Sequence, residues 1–437
     1  MDAVISYIKD VKDSSKNAKL FILTNVLFAI LMGATWTGLG IIIEKTFNPK
    51  VLGTAFAMHT LGMAVSAVPV GRGANKFGYK PVLMAGTIVG AICLILNGFI
   101  PNVLLLYVIN FIFGLSQGVY EVLPAPCINA NTNEKERSSV MAVMFGLYWL
   151  AVVIITKTSG NFISIFQSKL GVSELVAYKY YTFISAGIGL LGIFPIMAMD
   201  EVDKKERLDI EKKESTLLQD LKVVANKEVM LYLVYMGFIG LGAGLFCPFF
   251  ANFFKNGLKL EPTVVGNILS VQYFAMVIGM FVCPLLVKRI GSVVTLGAAS
   301  LASVPFMLII VNSDQFGSAM VPVLTAAFFM RSGLMNLAMP VMYSLPLEFV
   351  EKEKRAPLAG IISLFSSGTR ALSSFIAGRI MIIPAFNVGK YLLDGYRIPY
   401  YIAGILYAIA TIILLKTYVK KYNRVNEDKN RESQIAA

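Results

Sequence analysis

One histidine and four cysteines in 437 residues leave little material for a metal site or a redox centre. His59 has no second histidine to work with. Cys93, Cys127, Cys247 and Cys283 fall singly in or at the ends of apolar stretches, so buried thiols are expected, and neither a metal nor a cofactor. No Gly-Lys-Ser/Thr phosphate loop follows any Gly-rich stretch, which argues against a nucleotide-driven pump. The stretches GIGLLG and GFIGLGAG sit inside apolar runs and are read as places where helices pack closely. No nucleophile–base cluster is present either, so the chain is not expected to be an enzyme. Charge is scarce as well: 15% of residues are charged against 56% hydrophobic, more apolar material than a water-soluble core of this length needs. Residues 1–19 lack an apolar core, so no cleavable signal peptide is expected.

What the sequence does contain is a series of apolar blocks. Twelve can be delimited, at about 20–43, 51–70, 81–100, 103–127, 138–160, 179–199, 229–254, 264–287, 293–312, 318–347, 356–384 and 398–416. Each can cross a hydrocarbon layer of roughly 30 Å as a helix. The expected class is an all-α polytopic membrane protein with twelve transmembrane helices. The net charge of +13 is explained by where the 39 lysines and arginines sit. Most fall before residue 20, in 71–80, 134–137, 200–227, 288–289 and 351–355, and in the C-terminal tail, while the alternate loops hold few. That asymmetry places both termini in the cytoplasm of a multi-pass protein of the cell membrane. Nucleic acid is therefore not an expected partner, whereas anionic lipid headgroups are.

The longest polar stretch divides the blocks six and six. The expected organisation is 1–199 as one six-helix bundle, 200–227 as a cytoplasmic connector, 228–419 as a second bundle and 420–437 as a cytoplasmic tail. The halves resemble each other. NKFG at 75–78 corresponds to KRIG at 288–291, an offset of 213 residues, and EKERSSVMA at 134–142 corresponds to KEKRAPLAG at 352–360, an offset of 218. Two matches at nearly the same offset imply a duplicated unit.

GRGANKFGYKPVL (71–83) resembles the loop between the second and third spans of the major facilitator superfamily, written G-x-x-x-D-R-x-G-R-K. Gly71, Lys76, Gly78 and Lys80 match in kind, while Asn75 stands where the acidic residue is expected and Tyr79 where a basic one is. NFIFGLSQG (110–118) is similar to the fourth span, with Asn110 where many members carry arginine. The resemblance implies two six-helix bundles with a solute pathway between them, and a conformational-switch loop at Gly71, Asn75, Lys76, Gly78 and Lys80. It further implies that spans 1, 4, 7 and 10 line the pathway, that 2, 5, 8 and 11 flank it, and that 3, 6, 9 and 12 face lipid.

The deepest ionisable residues obey that partition: His59 in span 2, Glu121 in span 4, Arg331 in span 10 and Arg370 in span 11. A charge at the bilayer centre costs roughly 3 kcal/mol unless it meets water or a partner. Counted from Arg137, Glu121 lies about 24 Å in, and Arg370 lies about 22 Å from Arg355, so the two occupy one layer. Neutralisation of one by the other is the plain alternative to a role in transport. Arg331 and Arg370 are the candidate substrate ligands, with Trp36, Tyr120, Trp149, Tyr235, Gln272 and Asn336 as further candidates; packing accounts for most buried aromatics. Glu121 and His59 are candidate proton carriers. LPAP (123–126), CPFF (247–250) and MPVMYSLP (339–346) put prolines near the ends of spans 4, 7 and 10, where kinks are expected.

The expected function is that of a secondary transporter, working as a monomer. Two arginines in the second half favour a small organic anion as solute, because guanidinium forks match oxyanions, and Glu121 makes a proton the expected coupling ion. Glu121 by itself would favour a multidrug exporter of hydrophobic or cationic compounds, and a non-transporting receptor of the same fold is the third reading.

Overall fold

The computed structural model describes residues 10–200, 226–351, 354–389 and 391–423. The connector expected at 200–227 and the tail at 420–437 lie almost wholly outside these residues. Among the described residues there are twelve long helices: α1 Lys16–Thr46, α2 Pro49–Phe77, α3 Tyr79–Leu96, α4 Val103–Asn131, α5 Glu134–Leu170, α6 Glu174–Met197, α7 Lys227–Gly257, α8 Pro262–Ile290, α9 Ser292–Val311, α10 Ser313–Glu348, α11 Arg355–Ile380 and α12 Ile398–Tyr422. Among the described residues, ten are long and apolar enough to cross a membrane, all but α8 and α11. A short hairpin, β1 Phe386–Val388 and β2 Tyr391–Leu393, joins α11 to α12.

Polar residues start the helices where the apolar blocks begin. The side chains of Ser15, Asn48 and Asn102 each accept from the backbone N–H three residues on, satisfying a donor that the first turn leaves open. The prolines act where expected. α4 breaks at Leu123, α7 passes into a tight turn at Cys247–Phe249, and α10 breaks at Ala338 and tightens again at Leu345–Glu348. Two wide π turns add to these irregularities, Thr35–Leu39 in α1 and Phe253–Gly257 at the end of α7.

The chain gathers into two compact units. The first holds Met1–Glu214 together with Pro248–Ser270, and the second Ser215–Cys247 with Val271–Ala437. The break at Cys247 thus coincides with the point where α7 leaves one unit for the other. In the first unit α1 packs on α5 and α6, α2 on α4, and α3 on α4 and α6. In the second α7 packs on α11 and α12, and α9 on α10 and α12, the same scheme six helices later.

Local geometry repeats as well. α2 and α8 are both 29 residues long and end on Gly78 (φ 93, ψ 169) and Gly291 (φ 85, ψ 162), a conformation that glycine adopts without strain. Arg137 donates to the carbonyl of Asn129 at 3.4 Å and Arg355 to that of Leu347 at 3.0 Å, each reaching eight residues back. Both sequence matches therefore correspond to the same structure built twice.

Close packing depends on small residues. A Cβ on Gly62 would lie 2.1 Å from the Phe111 carbonyl oxygen, and one on Gly114 would lie 2.0 Å from that of His59, so α2 and α4 touch backbone to backbone. On α7, Gly240 and Gly244 do the same for α11, where Cβ atoms would meet Thr369 Oγ1 at 2.2 Å and Ser373 Oγ at 2.0 Å. The Ser374 hydroxyl then donates to the Gly244 carbonyl at 3.0 Å. In lipid, where apolar surface gives no drive for helices to associate, such contact supplies the packing energy.

Candidate functional site

In the second unit, the α7–α11 contact fixes the backbone of Arg370, whose carbonyl oxygen would be 2.4 Å from a Cβ on Gly244. Its side chain is half-buried. The Nε is fully buried, and the side chain makes no hydrogen bond or ion pair among the described residues. On α10, Arg331 is 5% exposed. It donates through Nη2 to Cys247 Sγ at 3.3 Å and lies 4.7 Å from the centroid of the Phe246 ring. Stacking of guanidinium on an aromatic face replaces part of the lost hydration. Phe246 packs in turn on Tyr400, with ring centroids 4.8 Å apart, and on Tyr407, at 6.5 Å. Two cations, a thiol and three aromatic rings from α7, α10, α11 and α12 thus share one neighbourhood inside a single unit.

The other substrate candidates divide between this neighbourhood and packing positions. Tyr235 is fully buried against Tyr232, with centroids 5.3 Å apart, and its hydroxyl has Ser300 as a hydrogen-bonding neighbour. Gln272 keeps a buried Oε1 without a hydrogen bond, while Asn336 donates to the Ser332 carbonyl of its own helix at 2.8 Å. In the first unit Tyr120 stacks on Phe28 at 3.6 Å and bonds to the Thr87 hydroxyl, which turns it towards α1 and α3. Trp36 lies in the π turn of α1 and is 38% exposed. Trp149 is half-buried on α5, edge-on to Tyr148.

The two proton-carrier candidates are placed differently. Glu121 is exposed on α4, just before the Leu123 break. His59 is buried at the α2–α4 contact, 2.8 Å from Gln117 Oε1 and against the Phe113 ring. In the loop at 71–80, Gly78 makes the turn, Lys76 lies over the Phe77 ring, and Lys80 donates to the carbonyls of Met197 at 2.7 Å and Met199 at 3.0 Å. Lys80 thereby ties the α2–α3 turn to the last carbonyls of α6. Asn75 is half-buried in the last turn of α2, and Gly71 has nothing within 4 Å of a Cβ.

One cluster was not marked by any motif. Glu174, at the start of α6, pairs with Lys45 at 2.5 Å and with Lys255 at 2.8 Å, and Asn252 donates to Glu44. These bonds clasp the end of α7 onto α1 and α6 within the first unit. Sequence spacing carries no trace of it, because the partners come from three distant stretches.

Comparison with known proteins follows the same lines. The sequence model described as Major Facilitator Superfamily matches residues 21–251 and 235–436. No curated protein matches the chain. Among solved structures, the nucleoside transporter NupG is 14% identical with a TM-score of 0.72, covering 93% of this chain and 100% of its own. The D-xylose-proton symporter is 13% identical with a TM-score of 0.71, covering 94% and 100%. A bacterial homolog of the human lysosomal transporter Spinster, inward-facing and unoccupied, is 13% identical with a TM-score of 0.68, covering 91% and 97%.

Proposed function

This chain belongs to the Major Facilitator Superfamily, and from that premise we propose that the solute it carries, as a multi-pass secondary transporter, is a small organic anion bound by Arg331 and Arg370. The observation that carries the reading is Arg370. Its Nε is fully buried, and with no hydrogen bond or ion pair among the described residues that nitrogen has lost hydration without replacement. A buried donor of a cation left without an acceptor is costly, and an anionic group at Arg370 would complete it. Arg331 supplies a second cation in the same unit, its face already held by Phe246. Guanidinium forks suit carboxylate and phosphate oxygens, which supports an oxyanion over a sugar or a cation.

The transport cycle in this reading is proton-coupled through Glu121. An exposed carboxylate next to a helix break can pass between neutral and charged forms as its surroundings change. One solved relative is a proton symporter by its title, which agrees with such coupling. Trp36 and Trp149 remain candidates for the apolar part of the solute, and the loop from Gly71 to Lys80 for the conformational switch. The asymmetry of the basic loops supports a cell-membrane protein with both termini on the cytoplasmic side.

Thermal unfolding of the purified protein tests the anion. Monocarboxylates, dicarboxylates, phosphate monoesters, neutral sugars and hydrophobic cations are added in turn, and a ligand at 100 times its Kd stabilises the folded state by about 2.7 kcal/mol. At least one oxyanion class is expected to raise the unfolding temperature, and Arg370→Gln to remove the rise. Stabilisation by hydrophobic cations alone would move the multidrug reading ahead.

A further inference from the structure

The resemblance assigns span 12 to the lipid face, yet α12 turns two tyrosines fully inward. Tyr400 and Tyr407 are 1% and 0% exposed. Seven residues apart, they lie two turns apart on one face of the helix, and both rings pack on Phe246, the residue over which Arg331 lies. The Tyr407 ring is seated in a notch on α7. A Cβ on Gly242 would lie 2.6 Å from its Cε1 and 2.9 Å from its Cδ1, so any larger residue there would displace the ring.

This seat delivers the hydroxyl to the cationic neighbourhood. The Tyr407 oxygen is within electrostatic range of both Arg331 and Arg370. Fully buried, the oxygen can accept from Arg331, which only donates, while its own O–H finds no acceptor among the described residues. A phenylalanine would fill the same notch without burying an unsatisfied polar atom. Guanidinium groups only donate hydrogen bonds and oxyanions only accept them, whereas a phenol can do either. An unsatisfied O–H beside two cations is therefore a third donor for whatever anion the cations hold.

We propose that Tyr407 is a further solute-binding residue, its hydroxyl donating to the oxyanion held by Arg331 and Arg370. Three donors from α10, α11 and α12 around one group select a compact oxyanion, a carboxylate or a phosphate monoester. The assignment rests on the anionic reading above and adds a group from a helix that the family pattern leaves outside the pathway.

The test compares the parent, Tyr407→Phe and Arg370→Gln by thermal unfolding over a concentration series of each carboxylate and phosphate monoester in the panel. Tyr407→Phe keeps the ring in its notch and removes only the contact with Arg331, so without ligand it should unfold close to the parent's temperature. Loss of a hydrogen bond to a charged group should raise the Kd of the stabilising anion about 10- to 100-fold. Whether a carboxylate or a phosphate gives the larger loss identifies the oxyanion. If Arg370→Gln loses binding while Tyr407→Phe retains the parent's Kd, the role of Tyr407 is overturned and the anionic reading stands. If Tyr407→Phe unfolds far below the parent without ligand, the hydroxyl is structural and the proposal is equally overturned. If no anion stabilises the parent, the anionic reading fails, and the role of Tyr407 with it.

Discussion

Replacing Gly114 with alanine should be among the most damaging single-methyl changes in the molecule. The new Cβ would sit 2.0 Å from the His59 carbonyl oxygen and 2.9 Å from the Met63 nitrogen, both backbone atoms that no rotamer change can move. Restoring an ordinary contact of about 3.4 Å requires α2 and α4 to part by about 1.4 Å, and a gap of even 0.5–1 Å forfeits roughly a quarter to a half of the dispersion energy along the contact. Overpacking of this kind costs about 1–3 kcal/mol, and the backbone clash puts Gly114→Ala near the top of that range. The twin position in the second unit behaves differently. A Cβ on Gly333 meets nothing nearer than the Ala275 carbonyl oxygen at 3.5 Å, so Gly333→Ala should be close to neutral. Gly146, with nothing within 4 Å, should gain up to about 1 kcal/mol from alanine's helix propensity. Thermal unfolding in detergent of the three variants gives the order directly. Gly114→Ala unfolding no earlier than Gly146→Ala would refute the argument from close approach.

Glu174→Gln removes the charge that Lys45 and Lys255 share. It should destabilise the clasp by about 1 kcal/mol, with the difference from the parent shrinking as salt is raised; a salt-independent difference would point to packing. Glu121→Gln should abolish proton-driven accumulation in proteoliposomes while leaving solute exchange partly intact, and unchanged pH-driven uptake would assign the proton elsewhere, His59 first. Cysteines introduced singly at 204–213 should resist a membrane-impermeant thiol reagent in intact cells. Ready labelling there would invert the topology read from the basic loops.

The parts of this fold that were legible in the sequence are those that depend on one local segment. The NKFG and KRIG matches led to two glycines of the same conformation, and the EKER and KEKR matches to two arginines reaching eight residues back. The prolines of LPAP, CPFF and MPVMYSLP marked real helix breaks, because a missing N–H acts wherever it falls. The direction of a side chain around its helix was not legible in the same way. Tyr120 and Glu121 are neighbours in sequence, yet one is stacked on Phe28 and the other exposed. Tyr407 escaped notice because apolar residues dominate α12 on every side, so no periodicity singled out an inner face. CPFF marked the break in α7 but not that the helix passes from one unit to the other there, since hydropathy runs unbroken through residues on both sides of it.

The π turn in α1 gives the helix one amino acid in reserve. A π turn takes up one residue more than an α turn at nearly the same axial advance, so the chain before Thr35 and the chain after Leu39 are already offset by an inserted position. Loss of a single codon anywhere in Thr35–Leu39 would let that turn relax to an ordinary helix, with Phe28 still facing Tyr120 and Glu44 still facing Asn252. The same loss in 20–27 would leave the bulge in place and rotate the helix before it by about 100° against both Phe28 and Glu44. A deletion scan of α1 should therefore show one narrow window in which the protein survives a shortened reading frame, and that window should coincide with the bulge.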